Sequence, residues 1–337
     1  MKKLLSLLLF ILSCNVANSQ IVKGFVMDQD TKSKISFATV YFNGTYLGTS
    51  TDQNGYFELN ISQNLPMPLT ISALGYYSTT LTEYLTDNLF SIYLKPKVYE
   101  LKEVFITAKA SPRQRRSYSN LFKKEFLGET TNAINCKIIN ESDIKFSYNS
   151  DTRTLTAFSS NPILIDNKYL GYKIIYFLDK FEFCYQEYHG QIRGLIIGNY
   201  KFSEDTINNF KQKNRFERRR KITYLGSRMH FFRELWENKL DSAGFELKDS
   251  LNAKLAYNKI VIQSDNPVSS DMAKYLKFNG KIFISYYSKT YSSAIKMVKD
   301  SIYFDKNGFF DPLGIIWEGE MSDQRIGDLL PFEYKIK

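Results

Sequence analysis

The stretch "GTSTDQNGYFELNI", residues 48–61, decides the fold. From Tyr56 to Ile61, large apolar residues alternate with polar ones at period two, the pattern of a strand with one face buried. Ahead of them stands Asp52-x-Asn54-Gly55. In such a turn the aspartate accepts from the backbone ahead of it, asparagine tolerates the bend, and glycine takes the positive φ that ends it. Working outward, similar short runs fill residues 21–107: "IVKGFVMD", "ISFATVYFNG", "YLGTST", "GYFELNI", "LTISALGYYS", "FSIYLK" and "LKEVFIT". They recur every 8 to 14 residues with Gly, Asn or Asp at the joints. That spacing predicts a β-sandwich.

The turn motif occurs again as "DKNGFFD", residues 305–311. A calcium loop of the EF-hand kind needs oxygen ligands at its first, third, fifth and twelfth positions around a glycine at the sixth. With Gly55 at the sixth, Ser50 stands first and Ile61 twelfth; with Gly308 there, Tyr303 and Gly314 take those places. Neither copy supplies the closing glutamate. Their flanks do not align, which argues against a duplicated domain, and so both copies read as hairpin turns.

Around the first copy the order is Gly24-x-Val26-x-Asp28, Thr31, Ala38-x-Val40, Gly44-Thr45, Gly48-Thr49, Thr51-Asp52, Gly55-x-Phe57 and Leu74-Gly75-Tyr76. This resembles the carboxypeptidase-regulatory-like domain of Bacteroidota envelope proteins, over about a quarter of the chain. The resemblance implies a seven-stranded, transthyretin-like sandwich. Lys34 stands where that family usually has proline. "LKEVFITA", residues 101–108, resembles the segment that follows this domain in TonB-dependent receptors. The remaining chain is too short for their barrel, so no transport role is carried over.

"MKK" followed by "LLSLLLFILS" is a basic head and an apolar run too short to span a bilayer, which predicts a signal peptide over residues 1–19. Ala17-Asn18-Ser19 offers the cleavage site. Lipidation at Cys14 is the less favoured alternative. No later run has the length of a membrane helix. The expected mature chain is exported, periplasmic or associated with the outer membrane. Cys136 and Cys184 would then meet an oxidising compartment, either joined in a disulfide or separately buried.

Charge divides the chain. Residues 20–110 carry net −1 and residues 111–337 net +9. "SPRQRRS", residues 111–117, suggests a basic linker over 108–120, and 121–337 reads as a β-rich α+β domain. In it, a short helix at "LFKKEFLGET" precedes strands at "DIKFSYN", "TLTAFS", "PILIDN" and "LGYKIIYFLDKFEFCYQ". A helix is expected from near Ser203 into "KQKNRFERRRK". A second is capped by Ser227, carries the stripe Met229, Phe232, Trp236, Leu240 and Ala243, and stops at Gly244. "FLGET", "CKIIN", "LGYKIIY" and "YLGSRMHFFREL" resemble the uncharacterised C-terminal portion of regulatory-domain proteins, which implies no known chemistry.

Catalytic motifs are missing. Metallocarboxypeptidases begin their zinc site with His-x-x-Glu, whereas His189 is followed by "GQI" and His230 meets Glu234 only four residues on, a spacing expected for a surface ion pair. There is no Gly-x-Ser-x-Gly elbow, His-Glu-x-x-His helix or phosphate-binding glycine loop. No catalytic, cofactor or metal residue is therefore assigned. The expectation is a non-catalytic binding or accessory module; the alternative is a hydrolase of envelope glycans acting through a carboxylate pair. One local feature stands out, the basic run Lys211, Lys213, Arg215, Arg218, Arg219, Arg220, Lys221. Its candidate anion-contact residues are Arg215, Arg218, Arg219, Arg220 and Lys221. With only Phe210 and Phe216 interleaved it is no base-stacking platform, so the partners considered are an envelope protein, a glycan or anionic lipid, and not nucleic acid.

Overall fold

The computed structural model describes residues 20–61, 67–84, 89–97, 111–184, 194–204, 209–263, 274–287 and 293–336. The expected signal peptide, the run "LKEVFIT" and His189 lie outside them. Seven strands form the N-terminal sandwich: β1 (Gln20–Asp28), β2 (Thr39–Phe42), β3 (Gly48–Ser50), β4 (Tyr56–Ile61), β5 (Leu69–Ser72), β6 (Thr79–Leu81) and β7 (Leu89–Leu94). One sheet runs β4-β1-β7, the other β3-β2-β5-β6. The alternation places Val22, Val26, Phe57, Leu59, Ile61, Val40, Phe42, Leu69, Ile71 and Leu94 in one shared core. Strand β6 was not expected on its own, since three residues with half-exposed threonines give little periodic signal.

A six-stranded sheet follows, of β8 (Cys136–Ile138), β9 (Lys145–Asn149), β10 (Thr154–Phe158), β11 (Ile163–Asn167), β12 (Tyr172–Cys184) and β13 (Gly194–Glu204). Its spine is β12, which pairs with β11 and β10 and, along nearly its whole length, with β13. A bulge between Leu178 and Lys180 shifts the alternation by one. Phe181 and Phe183 thereby face the same core as Tyr172, Ile174 and Tyr176.

Two helices close that core, α1 (Pro112–Leu127) and α2 (Thr131–Ile134). The expected basic linker is thus helical from Pro112 onward. The Ser111 hydroxyl accepts from the Gln114 N–H, the Gln114 side chain returns to the Ser111 N–H, and Pro112 opens the first turn. Phe122 and Phe126 hold the helix down, the first against Phe181 and the second edge-on to Tyr176.

Next comes α3 (Phe210–Tyr224), which begins later than Ser203 because Ser203 pairs with Lys173 in the β12–β13 ladder. Ser227 caps α4 (Arg228–Trp236) as expected, accepting from the His230 N–H at 3.1 Å. The helix ends before Leu240 because Asn238 turns to φ +54°; Leu240 and Ala243 still pack on the third core, from the following loop. That core lies between β14 (Phe245–Lys248), β17 (Lys281–Tyr286), β18 (Ser293–Met297) and β20 (Ile315–Gly319) in one sheet, and β15 (Val261–Gln263), β16 (Lys274–Leu276) and β19 (Ile302–Phe304) in another.

The repeated motif is turn chemistry in both places. Asp52 Oδ1 accepts from the Asn54 and Tyr56 N–H groups at 2.8 and 2.9 Å, and Asp305 Oδ1 from those of Asn307 and Phe309 at 2.8 and 3.0 Å. Gly55 and Gly308 close the turns at φ +70° and +84°. A third copy escaped the sequence reading. Asp249 Oδ1 accepts from Leu251 and Ala253, both at 2.9 Å, with Asn252 at φ +65° in glycine's place.

The sandwich grips the six-stranded sheet through the connection between β2 and β3. The Gly44 N–H donates to the Tyr200 carbonyl at 2.8 Å, the Phe202 N–H to the Thr45 carbonyl at 2.9 Å, and the Tyr200 N–H to Asn43 Oδ1 at 2.8 Å. Tyr41 stacks on Phe177, which faces away from the sheet's core, while Tyr46 packs against Tyr172 and Phe202 within it. The sheet is therefore held on both faces, through Phe177 of β12 on one and through Tyr172 of β12 and Phe202 of β13 on the other. From the C-terminal segment, the Phe332 N–H donates to the Gly44 carbonyl at 2.9 Å and Glu333 Oε1 accepts from the Tyr46 N–H at 2.8 Å. Gly44 sits at φ +74°, where a Cβ would lie 2.6 Å from the Phe332 ring. Replacing Gly44 by Ala is expected to cost about 1–3 kcal/mol and to separate the melting of the sandwich from that of the rest in calorimetry. A single unshifted transition would contradict this.

Candidate functional site

The basic run falls on α3, and the helix sorts it by periodicity. Asn209 caps the start by accepting from the Lys211 N–H at 2.9 Å. Phe216, Arg220 and Tyr224, four residues apart, form the buried face. Arg220, only 4% exposed, is no anion contact: its Nε and Nη2 donate to the Leu170 and Gly171 carbonyls at 2.9 and 3.2 Å, its Nη1 reaches Glu217 at 3.0 Å, and its guanidinium lies 3.9 Å from the Tyr172 ring centre. Arg219 is half-committed, stacked 3.6 Å over Tyr169 and donating to that residue's carbonyl at 3.1 Å. Two of the five expected contacts thus hold the helix in place.

Arg215, Arg218 and Lys221 are exposed, together with Lys211 and Lys213. At 100° per residue, Lys211, Arg215 and Arg218 share one outward stripe, which Ile222 and Leu225 extend. The single acid between Asn209 and Leu225 is Glu217, which pairs with Arg220 and is half-buried. Phe210 is 76% exposed, and two apolar neighbours that the sequence reading did not single out are exposed with it, Ile222 at 68% and Leu225 at 39%. For Ile222 and Leu225, the signal was their position four and seven residues after Arg218 and Arg215, and after Lys221 and Arg218.

The other expected residues are placed elsewhere. His230 and Glu234 do not form a surface ion pair. His230 is buried against Tyr224, Phe245 and Tyr286; its Nδ1 accepts from the Gly226 N–H at 3.1 Å, and its Nε2 is 3.7 Å from Glu234. Burial, with Arg233 nearby, lowers its pKa to about 4, so it is uncharged at neutral pH. Cys136 and Cys184 are free thiols. Cys136 lies beside Asn167 and hence at the Tyr172 end of β12, whereas Cys184 closes the opposite end. Twelve residues of strand at about 3.3 Å each separate those ends, far beyond the reach of a disulfide. Burial pushes the Cys136 thiol up to about 12.

Where α4, the "DKNG" turn and the C-terminal segment meet, Arg233 donates to three carbonyls: Asn307 at 2.9 Å, Tyr334 at 2.8 Å and Phe332 at 3.0 Å. Beside it Asp305 is fully buried, and desolvation raises its pKa to about 6. A cavity of about 260 Å³ opens between the loop after α4 and the stretch Leu255–Ile260. Its one carboxylate, Asp241, is held by Lys254 at 2.8 Å, so the paired acids of a glycan hydrolase are not assembled there. Among the described residues no group of three His, Cys, Asp or Glu side chains is placed to hold a metal ion.

With two sheets closed over one core, residues 22–106 can be compared with known domains. They match the CarboxypepD_reg-like domain. That family is non-catalytic, and the match points to a binding or regulatory module in the sandwich. No curated protein matches the chain. The helix α3, the cavity and the C-terminal segment all lie beyond the regulatory-like domain.

Removing Arg220 as Ala would orphan the Leu170 and Gly171 carbonyls, with an expected loss of about 2–4 kcal/mol in urea unfolding. Arg218→Ala should stay within about 0.5 kcal/mol. Equal losses would refute this division of the run. Asp305 gives a pH test. Its carboxyl binds a proton more tightly folded than unfolded, where the usual value is 3.8, so stability is greatest below that value and falls as pH rises to about 6. Asp305→Asn keeps the Oδ1 acceptor without the charge. Its stability relative to wild type should rise between those two pH values by about 1–3 kcal/mol and then level off. His230 is common to both proteins and cancels. A difference flat across the window would show that Asp305 does not titrate there.

Proposed function

We propose that the protein acts without catalysis, as an exported binding or accessory module of a cell envelope, and that it meets an anionic partner through the outward face of α3. The observation that carries this reading is the set Lys211, Arg215, Arg218 and Lys221, exposed on the side of the helix away from Phe216, Arg220 and Tyr224, the helix's one acid being paired with Arg220. Lys211 and Arg215 stand at i, i+4 and Arg215 and Arg218 at i, i+3. Like charges at those spacings each cost an isolated helix a few tenths of a kcal/mol. A partner bearing phosphate or carboxylate groups would relieve that repulsion, and arginine suits paired contacts to such groups.

The regulatory-like domain and the leader-like N-terminus support the envelope setting. The rigid anchoring of α3 by Phe216, Arg220 and Tyr224 supports binding by a preformed surface. Association of this kind weakens as salt screens the charges, over a length of about 8 Å at physiological ionic strength. The test compares wild type with Arg215→Ser/Arg218→Ser/Lys221→Ser, a set that spares Arg220. Binding of fluorescent inorganic polyphosphate, followed by anisotropy, should weaken with added salt and by about tenfold or more in the variant. No binding by the wild type at low salt, or equal binding by the variant, would overturn the proposal.

A further inference from the structure

The geometry points to a lipid bilayer surface carrying anionic headgroups as the partner of this face, an inference that rests on the anion-binding reading above. A soluble polyanion has a use for the four outward cations but none for Phe210, Ile222 and Leu225, which are exposed on the same helix and its C-cap. Phe210 stands at one end of α3, Ile222 and Leu225 at the other, and the cations lie between them. The helix is about 22 Å long at 1.5 Å per residue. Apolar anchors at both ends with cations along the middle fit a flat surface met along the whole helix. In that position apolar side chains enter the boundary between headgroups and acyl chains, while lysine and arginine extend to the phosphates.

Two further observations support a broad, planar contact. α1 covers the same face of the six-stranded sheet as α3, since Phe122 and Phe126 of one and Tyr224 of the other share a core. Its Arg113 and Arg116 are also exposed, which adds cations on a second helix of that face. The charge of the whole chain is divided in the same sense, with residues 20–110 at −1 and residues 111–337 at +9. The helix itself is fixed by its opposite face. Phe216 sits so close to Gly171 that a Cβ there would lie 2.5 Å from its ring. The surface is thus offered as a rigid platform, with no folding step needed on contact.

The experiment uses the chain from Gln20 onward, with vesicles of phosphatidylcholine alone or mixed with phosphatidylglycerol, and polyphosphate binding in parallel. Flotation should recover the protein with the anionic vesicles only. Phe210→Ser/Ile222→Ser/Leu225→Ser should weaken vesicle binding by about tenfold or more and leave polyphosphate binding unchanged. The variant with Arg215, Arg218 and Lys221 replaced should lose both. As a second readout, Ile222→Trp should add a blue-shifted emission that brominated acyl chains quench in anionic vesicles. If the wild type binds polyphosphate but not anionic vesicles, or the apolar variant floats as well as wild type, or the emission added by Ile222→Trp is not quenched, the bilayer inference falls and anion binding stands. If replacing the cations changes neither assay, both readings fall.

Discussion

The structure depends on how one edge strand is covered. β13 would otherwise present the unpaired backbone groups of Tyr200 and Phe202 to any extended chain, the usual hazard of a sheet edge. The connection between β2 and β3 satisfies them from outside the sheet with the Gly44 N–H, the Asn43 side chain and the Thr45 carbonyl. Tyr41 and Tyr46 then close on opposite faces of the same sheet. A second tie lies nearby, where Lys97 Nζ is 3.0 Å from Asp179 and donates to the Leu178 carbonyl at the β12 bulge. The regulatory-like domain is therefore joined to the sheet by backbone hydrogen bonds, stacked rings and a largely buried ion pair.

That joint would be incomplete without the irregular segment from Ile326 to Tyr334. Buried chain with no regular ladder must find partners for its polar groups, and here side chains of α2 and its cap, β11 and α4 supply several of them. Thr130 and Asn132 donate to Asp328 at 2.7 and 2.8 Å, Asn167 to the Gly327 carbonyl at 2.9 Å, and Arg233 to Phe332 and Tyr334. The Arg228 N–H adds a bond to Gln324 Oε1 at 3.0 Å just upstream. Ile326, Leu330 and Tyr334 bury themselves in the core beneath α1. The segment works as a strap across the sheet core and, through Phe332, the sandwich core, and Arg233 of α4 holds it from the third side.

Features set by near neighbours in sequence were legible. The sandwich strands other than β6, the long β12, the Ser227 cap and both Asp-x-Asn-Gly turns follow from local pattern. The third turn was hidden because Asn252 replaces the glycine that announces it. The stretch at 111–117 was read by composition as a linker, although Ser111-x-x-Gln114 with Pro112 already spelled a helix start. What could not be read were pairings between distant residues: Ser203 claimed by Lys173 in a ladder, His230 buried among rings contributed by Tyr224, Phe245 and Tyr286, and two cysteines set at opposite ends of one strand.

The arginines of α3 show why a candidate surface is only half visible in sequence. Arg218, Arg219 and Arg220 are chemically identical neighbours, yet successive residues on a helix point 100° apart, so they meet solvent, the Tyr169 ring and the Leu170–Gly171 turn in order. Composition counts all three as positive charge. The buried one contributes the opposite of a binding site, since its charge is satisfied by carbonyls and Glu217 and its role is to fix the helix. Because the Leu170–Gly171 turn joins β11 to β12, fixing α3 there ties the exposed cations to the same sheet that the sandwich clasps at β13. The direction in which Arg215 and Arg218 face solvent is thereby set by one continuous frame running from the Gly44 turn, through β13 and β12, to Arg220.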